Sequence, residues 1–299
     1  MFPMLRPLAL AFALLAQTVS AAPRSIDTAQ GPVRFEAPPQ RVAVFDVAAL
    51  DTLAALGIRP AGTVRPVFVD YLDEAIRDAA ALGTLFDPDL EALHALQPDL
   101  IILGSRSAAE AGRMAGLAPV IDMSIWQDSY AEGLARLRAY GRLFDREAEA
   151  AALEAALQDR VARARAALAG QGRGLILLAN GPKISAFGPA GRFGWLHRAL
   201  DLPPAAPEIG DTTHGEAISF EFLRQTDPEI LLVIDRTAAV GQAGPGALAT
   251  LDNALVHETR AWREGRVIVL NAADIYVAGG GIQSMIRTLD TILAALGEG

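Results

Sequence analysis

The sequence predicts an α/β protein of two Rossmann-like lobes with mostly parallel sheets, joined by a single long α-helix, with a ligand cleft between the lobes. Three observations predict this fold class. A helix–strand pattern occurs twice, short apolar runs alternate with helical segments, and an alanine-rich stretch separates the two copies. We therefore divide the chain into a leader at 1–21, an N-terminal α/β lobe at 22–144, a connecting helix at 145–171 and a C-terminal α/β lobe at 172–299.

The internal repeat is the clearest organisational feature. The stretch "LEALHALQPDLIILGSR" at residues 90–106 aligns without gaps to "FEFLRQTDPEILLVIDR" at residues 220–236, with every aligned pair 130 positions apart. In each copy the proline indicates the end of a helix. The apolar run that follows is typical of a strand buried on both faces. Internal similarity at a fixed spacing predicts two similar structural units.

Other apolar runs predict the remaining strands of each sheet. "RVAVFD" at 41–46 opens the first lobe and leads into the helical pattern "VAALDTLAALG", and "APVIDM" at 118–123 comes late in that lobe. In the second lobe "GLILLAN" at 174–180 comes first and "RVIVLN" at 266–271 comes late. Strands that alternate with helices predict mostly parallel sheets covered on both faces.

The segment between the repeats predicts one helix. It contains no proline, is rich in alanine, carries acidic residues early and arginines late, and ends at glycine. Each of these features favours a helix. A helix packed inside one lobe is the alternative, but the position between the two copies favours a rigid connector that permits only a small closure between the lobes.

The N-terminus predicts export. "MFPMLRPLALAFALLAQTVSAAP" has one basic residue, a short apolar run and a small-residue cleavage pattern, which are typical of a secretory signal peptide over residues 1–21. A retained membrane anchor is the alternative, although the run is shorter than a membrane span. Because the chain has no cysteine, we expect no lipid attachment and no disulfide. The net charge of −9 argues against nucleic acid as a partner.

Arginines are the first candidate ligand-binding residues. Arg106 and Arg236 occupy the same place in the two repeats, directly after a predicted strand, where open sheets bind ligands. Arg192 lies in the glycine-rich stretch "SAFGPAGRFGWLHRAL", which can present backbone N–H groups and a cation to an anion. A surface or salt-bridge role is the alternative for any one of them. As a set they predict an anion-binding cleft.

His214 and Tyr276 are candidate metal ligands. His214 lies in the loop "DTTHGEAIS", and Tyr276 precedes three glycines that open the last predicted helix. Imidazole and phenolate both bind iron(III), and phenolate is the harder donor. A helix-capping or hydrogen-bonding role for His214 and a core or rim position for Tyr276 are the alternatives. His94, His197 and His257 have no second donor nearby in sequence.

These residues and motifs resemble a known family. The chain is similar to bacterial periplasmic substrate-binding proteins of the helical-backbone class, class III, that serve ABC importers of iron–siderophore complexes, and most similar to the catecholate and petrobactin branch. The resemblance covers essentially the whole mature chain and depends on these motifs: "VAVFDVAALDTLAALG", "ISAFGPAGRFGWLH", "HGEAISFEFL", "LLVIDR" and "YVAGGG".

The resemblance implies a function and its residues. It implies that Arg106, Arg192 and Arg236 hold an anionic ferric catecholate, and that His214 and Tyr276 fill two iron positions left open by a tetradentate siderophore. It also implies a monomeric periplasmic protein, an inner-membrane ABC permease as partner, a ferric siderophore (Fe³⁺) as ligand and no intrinsic cofactor. Glu91 and Glu221, equivalent in the repeats, are candidate permease contacts, with exposed first-turn acids as the alternative.

Two other function classes stay open from the sequence. A haem- or cobalamin-binding protein of the same fold is one, since a tyrosine can ligate haem iron. A secreted hydrolase using His214 with Asp211 or Glu216 is the other. No nucleophile elbow, zinc-protease motif, phosphate loop or dinucleotide fingerprint occurs in the sequence, so we predict a binding protein and not an enzyme.

Overall fold

The computed structural model describes residues 23–210, 212, 214–242 and 244–297. The predicted signal peptide, residues 1–21, lies outside the described residues, as does Asp211. Among the helices that are described, none is long and apolar enough to cross a membrane.

The N-terminal lobe is an α/β unit with a small β-hairpin at its start. Its strands are β1 Arg24–Thr28, β2 Gly31–Phe35, β3 Val42–Phe45, β4 Gly62–Thr63, β5 Ala80–Ala81, β6 Leu100–Leu103 and β7 Val120–Asp122. Its helices are α1 Val47–Ala55, α2 Asp73–Ile76, α3 Leu90–Leu96, α4 Ala111–Met114 and α5 Ser129–Leu143, with 3₁₀ turns at Asp70–Leu72 and Ala108–Glu110. Strands β5-β4-β3-β6-β7 form a sheet, in that order, and all its pairings are parallel.

The C-terminal lobe follows the long helix α6 Glu147–Leu168. Its strands are β8 Gly174–Asn180, β9 Lys183–Phe187, β10 Glu216–Ile218, β11 Ile230–Asp235 and β12 Val267–Leu270. Its helices are α7 Trp195–Ala199, α8 Phe220–Thr226, α9 Arg236–Ala239, α10 Ala247–Leu251, α11 Ala254–His257, α12 Arg260–Arg263 and α13 Ile282–Ala295, with a π-helical segment at Ala273–Val277. The strands form a sheet in the order β10-β9-β8-β11-β12.

The two sheets share one strand order and differ in the direction of one strand. If β3 is matched to β8 and β6 to β11, the order in both sheets is identical. In the second sheet β9 is antiparallel to both of its neighbours, because a tight hairpin joins it to β8 and pairs Asn180 with Lys183. The predicted two-lobed α/β fold with mostly parallel sheets is therefore confirmed, with a mixed second sheet.

The repeat is present in three dimensions. Helices α3 and α8 each begin after a capping side chain, Asp89 and Ser219, which accepts a backbone N–H from the first turn. Each helix ends at a left-handed residue, Gln97 with φ of 50° and Asp227 with φ of 44°. Strands β6 and β11 begin shortly after these residues and are buried along their whole length.

Helix α6 is a single helix of 22 residues, about 33 Å long at 1.5 Å per residue. It begins two residues later and ends three residues earlier than the predicted segment 145–171. Its buried residues are Ala150, Leu157, Val161, Ala164 and Leu168, and it packs against α5 and α13. The assignment of 22–144 and 172–299 as separate units stays a prediction.

The central hydrophobic core runs through both lobes. One cluster of buried side chains includes Val44 and Ile102 from the first sheet, Leu157 from α6, and Ile176 and Leu232 from the second sheet. Helix α13, which follows the second sheet, packs against α1 of the first lobe as well as against α6. A smaller cluster of buried side chains covers the other face of each sheet. The lobes are thus joined by a continuous core as well as by the chain.

Candidate functional site

A cavity of about 780 Å³ lies between the lobes. From the N-terminal lobe it is lined by Asp46, Ala48, Ser105, Arg106, Ile125, Trp126, Gln127, Asp128 and Ser129. From the C-terminal lobe it is lined by Ala190, Arg192, Arg198, Ile275, Val277 and Gly279. Asp46, Arg106 and Trp126 follow the carboxyl ends of β3, β6 and β7, which is where an open parallel sheet binds ligands.

Arg106 is presented by a tight turn after β6. The hydroxyl of Ser107 donates to the carbonyl of Phe45 at 2.8 Å and accepts the N–H of Gly104 at 3.1 Å, which fastens the turn to β3. The guanidinium crosses to the other lobe, where Nη2 donates to the carbonyl of Tyr276 at 2.8 Å and Nη1 to that of Val277 at 3.3 Å. Arg106 therefore links the first lobe to the segment that carries Tyr276.

Arg192 is presented by the glycine-rich loop after β9. Two backbone hydrogen bonds fold this loop, from Gly191 to Gly188 at 3.0 Å and from Gly194 to Gly191 at 2.8 Å. A side chain at Gly194 would place its Cβ 2.0 Å from the carbonyl oxygen of Pro189, so the fold of the loop requires glycine there. Strand β9 is antiparallel to both of its neighbours, so the end of this strand does not by itself place Arg192 at the cavity. The loop that follows β9 brings Arg192 there.

Arg236 follows β11 directly. The carboxylate of Asp235 accepts the N–H groups of Ala238 at 3.1 Å and Ala247 at 2.8 Å, which fixes the backbone from which Arg236 projects. Its Nε donates to the phenol oxygen of Tyr276 at 3.2 Å, and its Nη1 donates to the side-chain oxygen of Asn180 at 3.3 Å. Neither Arg236 nor Tyr276 lines the cavity wall as Arg106 and Arg192 do. Arg236 is linked to those two arginines through Tyr276.

Tyr276 is the residue on which the three arginines meet. It lies in the π-helical segment after β12, a geometry that often marks functional sites. Its carbonyl accepts from Arg106 and also from Nη2 of Arg192, at 2.7 Å. The guanidinium carbons of Arg192, Arg106 and Arg236 lie 4.4, 5.8 and 6.0 Å from the centre of its ring. These distances are within the range of cation–π contacts.

No carboxylate among the described residues forms a salt bridge with this cluster of arginines. In the part of the chain that the structure describes, none of the three arginines forms one, whereas Arg198 and Arg287 do, each at 2.9 Å. Burial and the charge of Arg106 lower the pKa of Arg192, which is the direction expected for cations held close together. The arrangement can therefore hold an anion.

The electrostatics also act on the phenol of Tyr276. Burial alone would raise its pKa, but the hydrogen bond from Arg236 and the charges of Arg192, Arg236 and Arg106 bring the pKa below the ordinary value for tyrosine. Positive charge favours the phenolate. The phenolate form of Tyr276 is therefore more favoured than in an ordinary tyrosine.

His214 is exposed on the loop before β10 and does not line the cavity wall. Two aromatic rings, those of Phe187 and Phe193, lie between this loop and Tyr276. A side chain at Gly215 would place its Cβ 2.7 Å from the ring of Phe187, which packs edge-on against Phe193 at 4.7 Å between centroids. The ring of Phe193 in turn lies 6.5 Å from that of Tyr276. Iron ligation by His214 and Tyr276, and ligand binding by the three arginines, stay predictions.

Several residues in and around the cavity were not predicted from the sequence. Trp126 lines the cavity and is 64% exposed, and Arg198 pairs across the lobes with Asp128 at 2.9 Å. Phe193 lies against the ring of Tyr276. The pattern of a single lobe contains no signal for contacts between lobes, although an isolated tryptophan in the stretch "SIWQDS" is a signal that could have identified Trp126.

Among the described residues, no group of three or more His, Cys, Asp or Glu side chains could hold a metal ion.

Comparison with known protein families identifies the family of this chain. Residues 42–273 match the family Peripla_BP_2, described as periplasmic binding protein. The chain belongs to this family. The resemblance inferred from the motifs is confirmed, and so is the assignment of this periplasmic binding protein to ligand binding and not to catalysis.

Two curated relatives align with most of the chain. The petrobactin-binding protein YclQ of Bacillus subtilis is 33% identical over 259 residues, which are 85% of this chain and 81% of YclQ. The ferric-anguibactin-binding protein FatB of Vibrio anguillarum is 30% identical over 263 residues, which are 85% of this chain and 82% of FatB.

Solved structures share the fold of this periplasmic binding protein. The crystal structure of YclQ has a TM-score of 0.86 at 30% identity and covers 92% of this chain and 99% of its own. The periplasmic catecholate-siderophore binding protein VctP of Vibrio cholerae has a TM-score of 0.82 at 26% identity and covers 91% of this chain and 99% of its own.

Proposed function

We propose that this periplasmic binding protein captures the ferric complex of a catecholate-type siderophore in the cavity between its lobes. The observation that carries the proposal is the meeting of Arg106, Arg192 and Arg236 on Tyr276, with no salt bridge to any of them among the described residues. A ferric complex of two or three catecholates is anionic, since each catecholate brings two negative charges to a metal ion that carries three positive charges. Guanidinium groups in a half-buried site bind such anions strongly because the hydrogen bonds are charge-assisted.

The donors of Tyr276 and His214 suit a tetradentate chelate. Such a chelate leaves two of the six positions on iron(III) open. A phenolate of lowered pKa and an imidazole on the loop before β10 would complete the coordination. The ligand therefore brings the metal and most of its donors, and the protein supplies charge and the last two ligands.

The relatives support the ligand class. YclQ is named for petrobactin, FatB for ferric anguibactin and VctP for catecholate siderophores, so iron–siderophore binding recurs among proteins similar to this chain. We extend that ligand class to this chain, and the three arginines favour the more anionic, catecholate type.

We also propose where the protein works and with which partner. The predicted signal peptide at 1–21 would deliver it to the periplasm, where it would act as a monomer and pass its ligand to an ABC permease of the inner membrane. Glu91 and Glu221 are both exposed and stand at the same position of equivalent helices, one on each lobe. This placement suits contact with the two halves of a permease.

One experiment separates this ligand class from haem and cobalamin. The purified protein is mixed in turn with the ferric complex of a synthetic tetradentate bis-catecholate, with haem and with cobalamin, and the visible spectrum is recorded after removal of free ligand. We expect the ferric bis-catecholate alone to remain bound. Retention of haem or cobalamin, with loss of the ferric chelate, would contradict the proposal.

A further inference from the structure

We infer that Trp126 is a stacking surface that selects siderophores with an aromatic ring. The inference deepens the proposed function and rests on it. Trp126 belongs to the part of the cavity wall formed by the N-terminal lobe, and Arg192 belongs to the part formed by the other lobe. The cavity thus presents a flat apolar group together with a cluster of cations.

The exposure of Trp126 is unusual for this residue type. It is 64% exposed, whereas Trp195 is 3% exposed and Trp262 is partly buried. A large aromatic side chain left in water forgoes a substantial apolar burial. An exposed indole inside a cavity is therefore well suited to cover a ligand.

The loop that carries Trp126 is held in place by hydrogen bonds within the protein. The carboxylate of Glu132 accepts the backbone N–H groups of Trp126 at 2.9 Å, of Gln127 at 2.7 Å and of Asp128 at 2.7 Å. Asp128 in turn caps helix α5 through the N–H groups of Tyr130 and Ala131, both at 3.0 Å. A prearranged loop loses little conformational freedom when a ligand binds.

The other lobe holds the same loop. Nη2 of Arg198 donates to the carboxylate of Asp128 at 2.9 Å, and its Nη1 donates to the carbonyl of Pro189 in the loop that carries Arg192. These hydrogen bonds hold the loop of Trp126 and the loop of Arg192 in a fixed position relative to each other.

The chemistry of the ligand fits this pairing. A catecholate bound to iron is a planar aromatic ring whose two oxygens carry the negative charge. Its oxygens and the metal can face the arginines while its ring covers the indole. A ring-free chelate such as ferric citrate can use the arginines but has nothing to stack, so Trp126 favours catecholates over it.

The test compares four variants by isothermal titration calorimetry with the ferric synthetic bis-catecholate. Trp126→Phe keeps an aromatic ring, Trp126→Leu keeps apolar bulk without a ring, and Trp126→Ala removes both. Phe86→Ala is the matched control, because Phe86 is an exposed aromatic residue, 73% exposed, that is not part of the cavity wall. Circular dichroism confirms that each variant is folded.

We expect Trp126→Ala and Trp126→Leu to weaken binding about tenfold to a hundredfold, which corresponds to about 1.4–2.7 kcal/mol. Trp126→Phe should retain most of the affinity and Phe86→Ala all of it. Wild-type affinity in Trp126→Leu or Trp126→Ala would overturn the inference and leave the proposed function intact. Failure of the wild-type protein to bind would instead overturn the proposed function, and with it the basis for this role of Trp126.

Discussion

The phenol of Tyr276 differs from the other three tyrosines in its electrostatic surroundings. Burial raises the pKa of Tyr71, Tyr130 and Tyr140, and nearby carboxylates add to the effect. Only at Tyr276 do the arginines outweigh burial and lower the pKa. Because its pKa lies below the ordinary value, Tyr276 should become a phenolate at a lower pH than the other tyrosines.

Replacing Arg236 with alanine should raise the pKa of Tyr276. The substitution removes both the hydrogen bond to the phenolate and one nearby positive charge, so deprotonation should begin at a higher pH. Phenolate absorbance in the ultraviolet, followed during a pH titration, measures the change. Arg59→Ala is the control, since Arg59 is exposed and pairs with Glu74. If the lowest-pH tyrosine deprotonation occurs at the same pH in Arg236→Ala as in the wild-type protein, Arg236 does not act on the phenol of Tyr276.

His214→Ala and Tyr276→Phe should weaken the tetradentate ferric complex far more than a hexadentate one. A hexadentate siderophore saturates iron(III) without protein ligands, whereas a tetradentate one needs two. Tyr276→Phe should also alter the visible charge-transfer band of the tetradentate complex, because the phenolate–iron bond is lost. The two losses should be less than additive when they act on one metal.

His94→Ala is the control for this comparison, since His94 is exposed on α3. Calorimetry with both chelates gives the affinities. If both variants bind the tetradentate complex with the wild-type affinity and spectrum, His214 is a loop residue and the coordination hypothesis is wrong.

The elements show how far the sequence alone can predict this fold. Helices α3 and α8 and strands β6 and β11 were predictable because their apolar runs and flanking residues are local signals that occur twice. Strand β8 has the predicted bounds, Gly174–Asn180. The direction of β9 was not predicted, although the short turn at Asn180 and Gly181 between two apolar runs is a local hairpin signal. The meeting of the arginines on Tyr276 was not predictable, because it depends on contacts between lobes.

Helix α13 is joined to the first lobe through its N-terminus. The buried carboxylate of Asp51 accepts the N–H groups of Gln283 at 2.8 Å and Ser284 at 2.9 Å, and the hydroxyl of Tyr71 at 2.5 Å. A side chain at Gly281 would place its Cβ 2.5 Å from the Asp51 carboxylate, so this close approach requires glycine. Asp51 thus caps a helix of the other lobe.

Asp51→Ala should destabilise the protein by about 1–3 kcal/mol, since it leaves buried donors without an acceptor. Asp89→Ala is the matched control, because Asp89 caps α3 within one lobe at an exposed position. Urea unfolding followed by circular dichroism gives the free energies. A loss no larger than that of Asp89→Ala would contradict the role of Asp51 as a link between lobes.

At the scale of the whole molecule, the shared core limits relative motion of the lobes. Helix α6 continues without a break, α13 packs on both lobes, and Arg198 pairs with Asp128 across the cavity. Opening the cavity widely would separate these contacts and expose apolar surface, which is costly. The cavity should therefore accept its ligand with a small closure.

Small-angle scattering tests this rigidity. The radius of gyration, about 19 Å for a compact domain of this length, should be nearly the same with and without the ferric bis-catecholate. The control is the chelate added to a variant that does not bind it. A marked compaction on binding would argue for a flexible hinge and against a rigid connecting helix.

The affinity of the three arginine variants for the ferric bis-catecholate is the most direct test of anion binding in this cavity. Each charge-assisted contact is worth about 1.5–3 kcal/mol. Arg106→Ala, Arg192→Ala and Arg236→Ala should therefore each bind about tenfold to a hundredfold more weakly than the wild-type protein and the Arg59→Ala control, while remaining folded. Wild-type affinity in all three variants would contradict the claim that this cavity binds an anionic ferric siderophore.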